Sequence, residues 1–155
     1  SLTGSLYLEK LYLYSNPKLS SIDLTYNTFL KELYYNNSSI GSIDLLNNID
    51  LEILDLSNNG ISSLDIQNSD KLYVLNLSNN QLSSITMSAY NNAPVSYSSF
   101  NFYNNNLNTN AVNYILQILN GYDNMTGSVN LTGGSNQGPS DNGVTYLNSD
   151  TISLY

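Results

Sequence analysis

Apolar residues return along this chain at long, even intervals. The stretch Leu54-Asp55-Leu56-Ser57-Asn58-Asn59-Gly60-Ile61-Ser62-Ser63-Leu64-Asp65-Ile66 is repeated almost residue for residue from Leu75 to Met87, LNLSNNQLSSITM. The leucines that head each unit, Leu11, Leu33, Leu54 and Leu75, lie 22, 21 and 21 residues apart. A steady period in this range predicts a chain that winds, each turn burying its apolar column against its neighbours.

Within a unit the apolar positions alternate with polar ones on both legs, as extended chain requires. The outgoing leg reads Leu11, Leu13; Leu33, Tyr35; Leu54, Leu56; Leu75, Leu77. The returning leg reads Leu19, Ile22, Leu24; Ile40, Ile43, Leu45; Ile61, Leu64, Ile66; Leu82, Ile85, Met87. Two narrow sheets with little helix between them are therefore expected. Residues 1–10, with Leu6 and Leu8 alternating, read as a leading strand, and about five repeats fill 11–107.

Asn16, Asn59, Asn80 and Asn105 stand where the chain leaves the outgoing leg. An inward amide there can bond backbone groups that water does not reach, which predicts an Asn ladder. In the second unit either Ser38 or a shifted Asn37 takes that place. Phe100 follows Leu75 by 25 residues, and Pro94 with many turn formers lies between them, so an enlarged loop is expected there. After Leu107 the spacing changes. Asn108 or Thr109 can cap a helix with Val112, Ile115, Leu116 and Leu119 on one face, and Gly121 sits where it stops. A strand head at Val129-Asn130-Leu131, a loop over 133–139, a short helix from Asp141 to Leu147 and an extended end from Thr151 to Tyr155 complete a C-terminal cap over 108–155.

The motif L-x-x-L-x-L-x-x-N-x-x-L, carried by residues 6–107, resembles the leucine-rich-repeat family. The run from Leu107 through the helix to Val129-Asn-Leu131-Thr-Gly-Gly and Pro139-Ser140 is similar to the terminal cap of bacterial cell-surface and bacteriophage virion members. The resemblance implies one domain over 1–155, a mainly β solenoid with a parallel concave sheet, an extended convex side and an α/β cap. It also implies a binding module rather than an enzyme, at a cell or virion surface.

Composition narrows the chemistry. Only 10% of residues are charged, and 4 Lys without Arg against 12 acidic groups leave a net charge of −8, which repels phosphate backbones and disfavours nucleic acid. The absence of His, Cys and Arg removes most acid–base dyads, thiol nucleophiles and phosphate clamps, so no catalytic residues are assigned and no cofactor is expected. Five sequons, at Asn36, Asn37, Asn76, Asn124 and Asn130, are no more than so Asn- and Ser-rich a chain produces by chance. Asp23, Asp44 and Asp65 recur in register on the returning leg, but Thr86 breaks the row and solvated or turn-bonded carboxylates are expected rather than a metal site. No stretch is long and apolar enough to span a bilayer, so membrane insertion is not expected. The start at Ser1 suggests a processed chain or a piece of a longer one.

What remains is a surface rich in Tyr, Ser and Asn, with 14 Tyr against 3 Phe and no Trp, a palette suited to recognition. Outward residues of the outgoing leg form the candidate binding face: Tyr12, Tyr14, Tyr34, Asn36, Asp55, Ser57, Asn76, Ser78, Asn101 and Tyr103. Tyr12, Tyr14 and Tyr34 should gather into an aromatic patch for a protein or for a glycan stacked on rings, although tyrosine also pairs well across strands for purely structural reasons. The expected function is a non-catalytic adhesive or structural module on the outside of a virion or bacterial cell, with glycan binding as the alternative. Either a neighbouring domain, another chain or a self-copy covers the N-terminal end of the coil, or residues 1–10 fold over it themselves.

Overall fold

The computed structural model describes residues 2–90, 92–93, 97–122, 126–140 and, in backbone, 152–154. Pro94 in the expected enlarged loop, the sequon at Asn124 and the expected helix from Asp141 to Leu147 lie outside them. The chain winds as a mainly β parallel solenoid of about four turns, with one helix among the described residues. Its principal sheet has seven strands, all parallel, in the order β1 (Lys10–Tyr12), β2 (Glu32–Tyr34), β3 (Ile53–Asp55), β5 (Val74–Asn76), β7 (Tyr97–Asn101), β8 (Thr126–Asn130) and β9 (Ile152–Leu154). Leu11, Leu33, Leu54, Leu75, Phe100 and Val129 share one register, so the repeat heads become neighbours at one rung. β4 (Ser63–Ile66) and β6 (Ser84–Met87) form a second, two-stranded parallel sheet.

That second sheet joins only the third and fourth coils, whose sequences match most closely. The expected extended return leg forms no strand in the first two coils. Gly41 stands where later coils carry Ser62 and Ser83, and a glycine weakens a strand there. The leading strand expected over 1–10 is also corrected: residues 2–8 make two tight turns, Ser5 N–H to Leu2 O and Leu8 N–H to Ser5 O, and pairing starts at Lys10. The same double corner recurs as Leu24-Asn27-Leu30, Leu45-Asn48-Leu51 and Ile66-Ser69-Leu72, each step closed by an N–H to the carbonyl three residues back. The early alternation at Leu6 and Leu8 belongs to this corner.

The interior is lined by the apolar column, with Leu33, Leu54, Leu56, Leu75 and Leu77 fully buried. Each coil also encloses carbonyls that the two sheets leave unpaired, and amides answer them. Asn80 donates through Nδ2 to Leu56 O and Leu77 O, both at 3.0 Å, while its Oδ1 accepts from Ile61 N at 3.0 Å. Asn59 and Asn105 repeat the arrangement one coil below and above. Asn136, from the 133–140 loop, extends it to Phe102 O, with its Oδ1 accepting from Leu107 N. In the second coil Ser38 holds the position, and Asn37 takes the preceding one. At the first coil Asn16 is exposed: its side-chain amide donates to Tyr14 O within its own coil, and its backbone N–H donates to Ser38 Oγ, so its amide belongs to the ladder by position and hardly by bonding.

Two further Asn columns have no counterpart in the expectations above. Asn27 and Asn48, each 1% exposed, donate from the double corner to the carbonyls of the coil before, Asn27 to Ser5 O and Asn48 to Asn27 O, both at 2.8 Å. Residues immediately before the inner ladder adopt positive φ: Ser15, Asn37, Asn58, Asn79 and Asn104, between 51° and 56°. Asn is the L-residue that enters this region most readily, which explains the tandem Asn-Asn at 58–59, 79–80 and 104–105.

In the last unit the return leg becomes helix α1 (Thr109–Asn120). Asn108 is its cap, accepting from Ala111 N at 3.0 Å, and Val112, Ile115, Leu116 and Leu119 are buried. The helix is tied to β6 by Tyr114, whose hydroxyl accepts from Met87 N, and the chain beyond it by Tyr122, whose hydroxyl donates to Ser88 O. Burial holds the Tyr122 phenol far above its ordinary ionisation range. β8 fits beside β7 because Gly127, at φ 146°, has no Cβ to meet Ser98 O.

Asn105→Ala should therefore lower unfolding stability by about 1–3 kcal/mol, since it orphans buried carbonyls and the Leu82 N–H, while Asn16→Ala costs less than about 0.5 kcal/mol. Denaturant unfolding of the two variants checks the contrast. The double-corner column stops at Ser69, whose buried hydroxyl meets no polar partner among the described residues. Ser69→Asn should reach Leu45 O and Asn48 O as its predecessors do and raise stability by about 0.5–1.5 kcal/mol; a lower denaturation midpoint would contradict the repeat geometry.

Candidate functional site

Residues on either side of the buried repeat heads face outward from the seven-stranded sheet. Parallel, in-register pairing stacks them into rows: Lys10, Glu32, Ile53, Val74 and Ser99 on one side, Tyr12, Tyr34, Asp55, Asn76 and Asn101 on the other. Tyr14, Asn36, Ser57, Ser78 and Tyr103 form a third row at the same repeat position, two residues further on.

Most polar members of these rows are bonded within the chain. Asp55 Oδ1 accepts from Ser57 N at 2.9 Å and from Ser57 Oγ at 2.7 Å, and Asn76 Oδ1 accepts from Ser78 N and Ser78 Oγ in the same way. Asn101 accepts from Tyr103 N, and Asn130 from Thr132 N and Oγ1. An acid or amide followed two residues later by an N–H is an Asx turn, and here it ends the strand. Ser57 and Ser78 are consequently 4% and 7% exposed. Their expected place on the open face is corrected: their hydroxyls are used inside the turn. Asp23, Asp44 and Asp65 make the same bond on the return leg, to the N–H of Thr25, Leu46 and Gln67. Among the described residues no three acidic side chains converge as metal ligands would.

The first two coils depart from that pattern. Where later coils carry the Asx residue they carry Tyr12 and Tyr34, and no turn occupies these side chains. The two rings stack, with centroids 5.1 Å apart and planes 15° from parallel. Tyr14 completes the group, tilted 46° to Tyr12 at 5.8 Å and edge-on to Tyr34 at 6.3 Å. Tyr12 and Tyr14 are 48% and 51% exposed, against a half-buried Tyr34. Asn36 leans along the sheet and donates to Asp55 Oδ2 at 2.7 Å. Tyr103 stands exposed three rungs away from this group.

Charge flanks the rings. Lys10 Nζ lies 2.7 Å from Glu32 Oε1, while the Tyr12 hydroxyl donates to Glu32 Oε2 at 3.1 Å. The hydrogen bond from Lys10 lowers the Glu32 carboxyl below its usual range and raises the Lys10 ammonium. Both phenols are raised, Tyr12 by desolvation and then by its bond to Glu32, Tyr34 by desolvation and then by the Glu32 charge.

A second apolar group lies on the double corner, where Tyr7 and Phe29 approach to 5.5 Å, both exposed. Sequence reasoning about the outgoing leg misses it. The signal was present, because Tyr7 and Phe29 precede the equivalent corner leucines Leu8 and Leu30. No helix of the described residues is long and apolar enough to cross a membrane.

The rings present hydroxyls, edges and a limited area of face; of the two carboxylates beside them, Glu32 is paired with Lys10 and Tyr12, and Asp55 accepts two bonds on Oδ1. No family model, curated protein or solved structure matches the chain.

Spectrophotometric titration should show Tyr12 and Tyr34 ionising above the ordinary phenol value of 10.0, and Glu32→Gln should bring Tyr12 part of the way back, since desolvation remains. Raised phenols leave their share of stability intact below pH 10.0 and lose it as pH rises past that point. The depressed Glu32 contributes above its unfolded value of 4.5, and that contribution fades as pH falls below it.

Proposed function

We propose that the chain is a non-catalytic recognition module of the leucine-rich-repeat type, whose outward sheet face binds a partner protein through an anchor of Tyr12, Tyr14 and Tyr34. The observation that carries this reading is the exchange of turn-forming Asx residues for an exposed Tyr12 and a half-buried Tyr34 in the first two coils. The fold does not require those rings, since later coils make the same strand exits without them. Buried aromatic anchors with two rotatable side-chain bonds lose little entropy on binding and dominate recognition energetics. A display site on a bacterial cell or virion surface rests on the resemblance of the repeats and cap and on the low-charge, Asn- and Ser-rich composition.

Protein binding is favoured over a glycan by the way the rings stand. A centroid distance of 5.1 Å close to the ~4.8 Å strand spacing means that Tyr12 and Tyr34 stand across the sheet and turn their faces toward each other. A sugar laid on the sheet meets ring edges and hydroxyls, where stacking would need faces.

A photo-crosslinking amino acid in place of Tyr14 or Tyr103 should yield protein adducts in the native cell or particle, while one in place of Ser62, exposed on the return leg, should not. Equal labelling from both sides of the coil would refute the assignment of the face. A glycan array giving Tyr12-, Tyr14- and Tyr34-dependent binding would replace the protein with a sugar.

A further inference from the structure

We infer that the face selects a basic partner segment, seating an arginine guanidinium against the free side of the Tyr34 ring and above Asp55. The inference rests on the reading of this face as a protein-binding surface and supplies the chemistry it would recognise.

The slot follows from register. Tyr12, Tyr34 and Asp55 are consecutive members of one row, a single strand spacing apart. Tyr12 covers one face of Tyr34. The next rung holds a short side chain, folded toward the sheet by three accepted bonds from Ser57 N, Ser57 Oγ and Asn36 Nδ2. The second face of Tyr34 therefore looks along the sheet toward the Asp55 carboxylate, with the Asn36 amide beside it on Oδ2. Tyr14, edge-on to Tyr34, closes one flank.

A flat group standing parallel to Tyr34 would continue the ring stack at ordinary van der Waals separation. Guanidinium is the side-chain cation with that shape. It stacks on aromatic faces and donates in a planar fork, so it can contact the ring and the carboxylate together. An ammonium is a compact point charge and satisfies one contact at a time. A neutral pyranose ring carries no charge for Asp55.

Charge points the same way. Among the described residues the ion pairs join Lys10 to Glu32, Lys31 to Glu9 and Lys71 to Asp50, and none reaches Asp55. The three bonds to Asp55 come from neutral donors, and a carboxylate has room for about four. The wider field of a chain with net charge −8 draws a basic segment and repels an acidic one.

The test uses the full 155-residue chain and a short peptide carrying three arginines, compared with the same peptide carrying lysine or citrulline, by calorimetry and by the NMR shifts of the tyrosine rings. Saturable binding of the arginine peptide is expected, weaker by about tenfold for lysine and lost for citrulline. Asp55→Asn should keep the fold, because Asn76 makes the same turn one coil later, yet weaken arginine binding by about tenfold, as should Tyr34→Leu. Asp65→Asn, an equal change of charge on the other sheet, should leave binding unaltered. Equal losses from Asp55→Asn and Asp65→Asn would overturn the slot in favour of diffuse attraction. Displacement of the arginine peptide by a neutral chito-oligosaccharide, with the same Tyr34 dependence, would overturn it in favour of a sugar. If no arginine peptide binds while crosslinks from position 14 persist, the recognition face stands and the guanidinium slot falls.

Discussion

Everything in this molecule depends on how the backbone groups inside each coil are satisfied. A coil this narrow cannot close on hydrogen bonds between strands alone, because the chain must leave one sheet before it reaches the other. The carbonyls stranded at those exits are shut away from water, and an unanswered one is costly. Primary amides solve the problem because each offers two donors and an acceptor on a short stem. Asn59, Asn80, Asn105 and Asn136 answer the carbonyls at one exit, and Asn27 and Asn48 those at the double corner. Asn59, Asn80, Asn105 and Asn136 each bond their own coil and a neighbouring one, and Asn27 and Asn48 bond the coil before, so successive coils are held in register as well as satisfied.

This economy of polar groups shapes the surface. Asx turns at Asp55, Asn76, Asn101 and Asn130 close the strand exits, which leaves an apparently polar face with few groups free to meet a partner. The rings of Tyr12, Tyr14, Tyr34 and Tyr103 are not used by the turns, and the proposed recognition role falls to them. The departures from the repeat therefore carry more information about function than the repeat itself.

The anchor also sits on the least buried coil. Leu11 and Leu13 are only half-buried, whereas Leu33 and Leu54 above them are fully covered, and β1 has a strand on one side only. Local stability should be lowest there. The Tyr12–Tyr34 stack and the Lys10–Glu32 pair tie β1 to β2 on the outer face, so the groups assigned to recognition also hold down the edge that carries them. A partner seated on these rings would stabilise the first coil along with itself.

Two kinds of information separate along the chain. The period, the buried column and the capped helix were legible in the sequence, because the spacing of Leu11, Leu33, Leu54 and Leu75 and the helical spacing of Val112, Ile115 and Leu119 are local consequences of which face is dry. The inner Asn positions followed from the same periodicity. Other features needed three dimensions. Asn27 and Asn48 read as ordinary turn residues until neighbouring coils bring Ser5 O and Asn27 O beside their amides. Ser57 and Ser78 read as exposed until the Asx turn folds their hydroxyls inward. Residues 2–8 read as a strand, since the spacing of Leu6 and Leu8 does not distinguish a strand from a double turn. The sequence by itself determined the winding and its core, because hydrophobic burial follows from period alone. Which outward groups remained free was decided by tertiary structure, because a polar side chain's partner is set by the neighbouring coil and by the turn it closes.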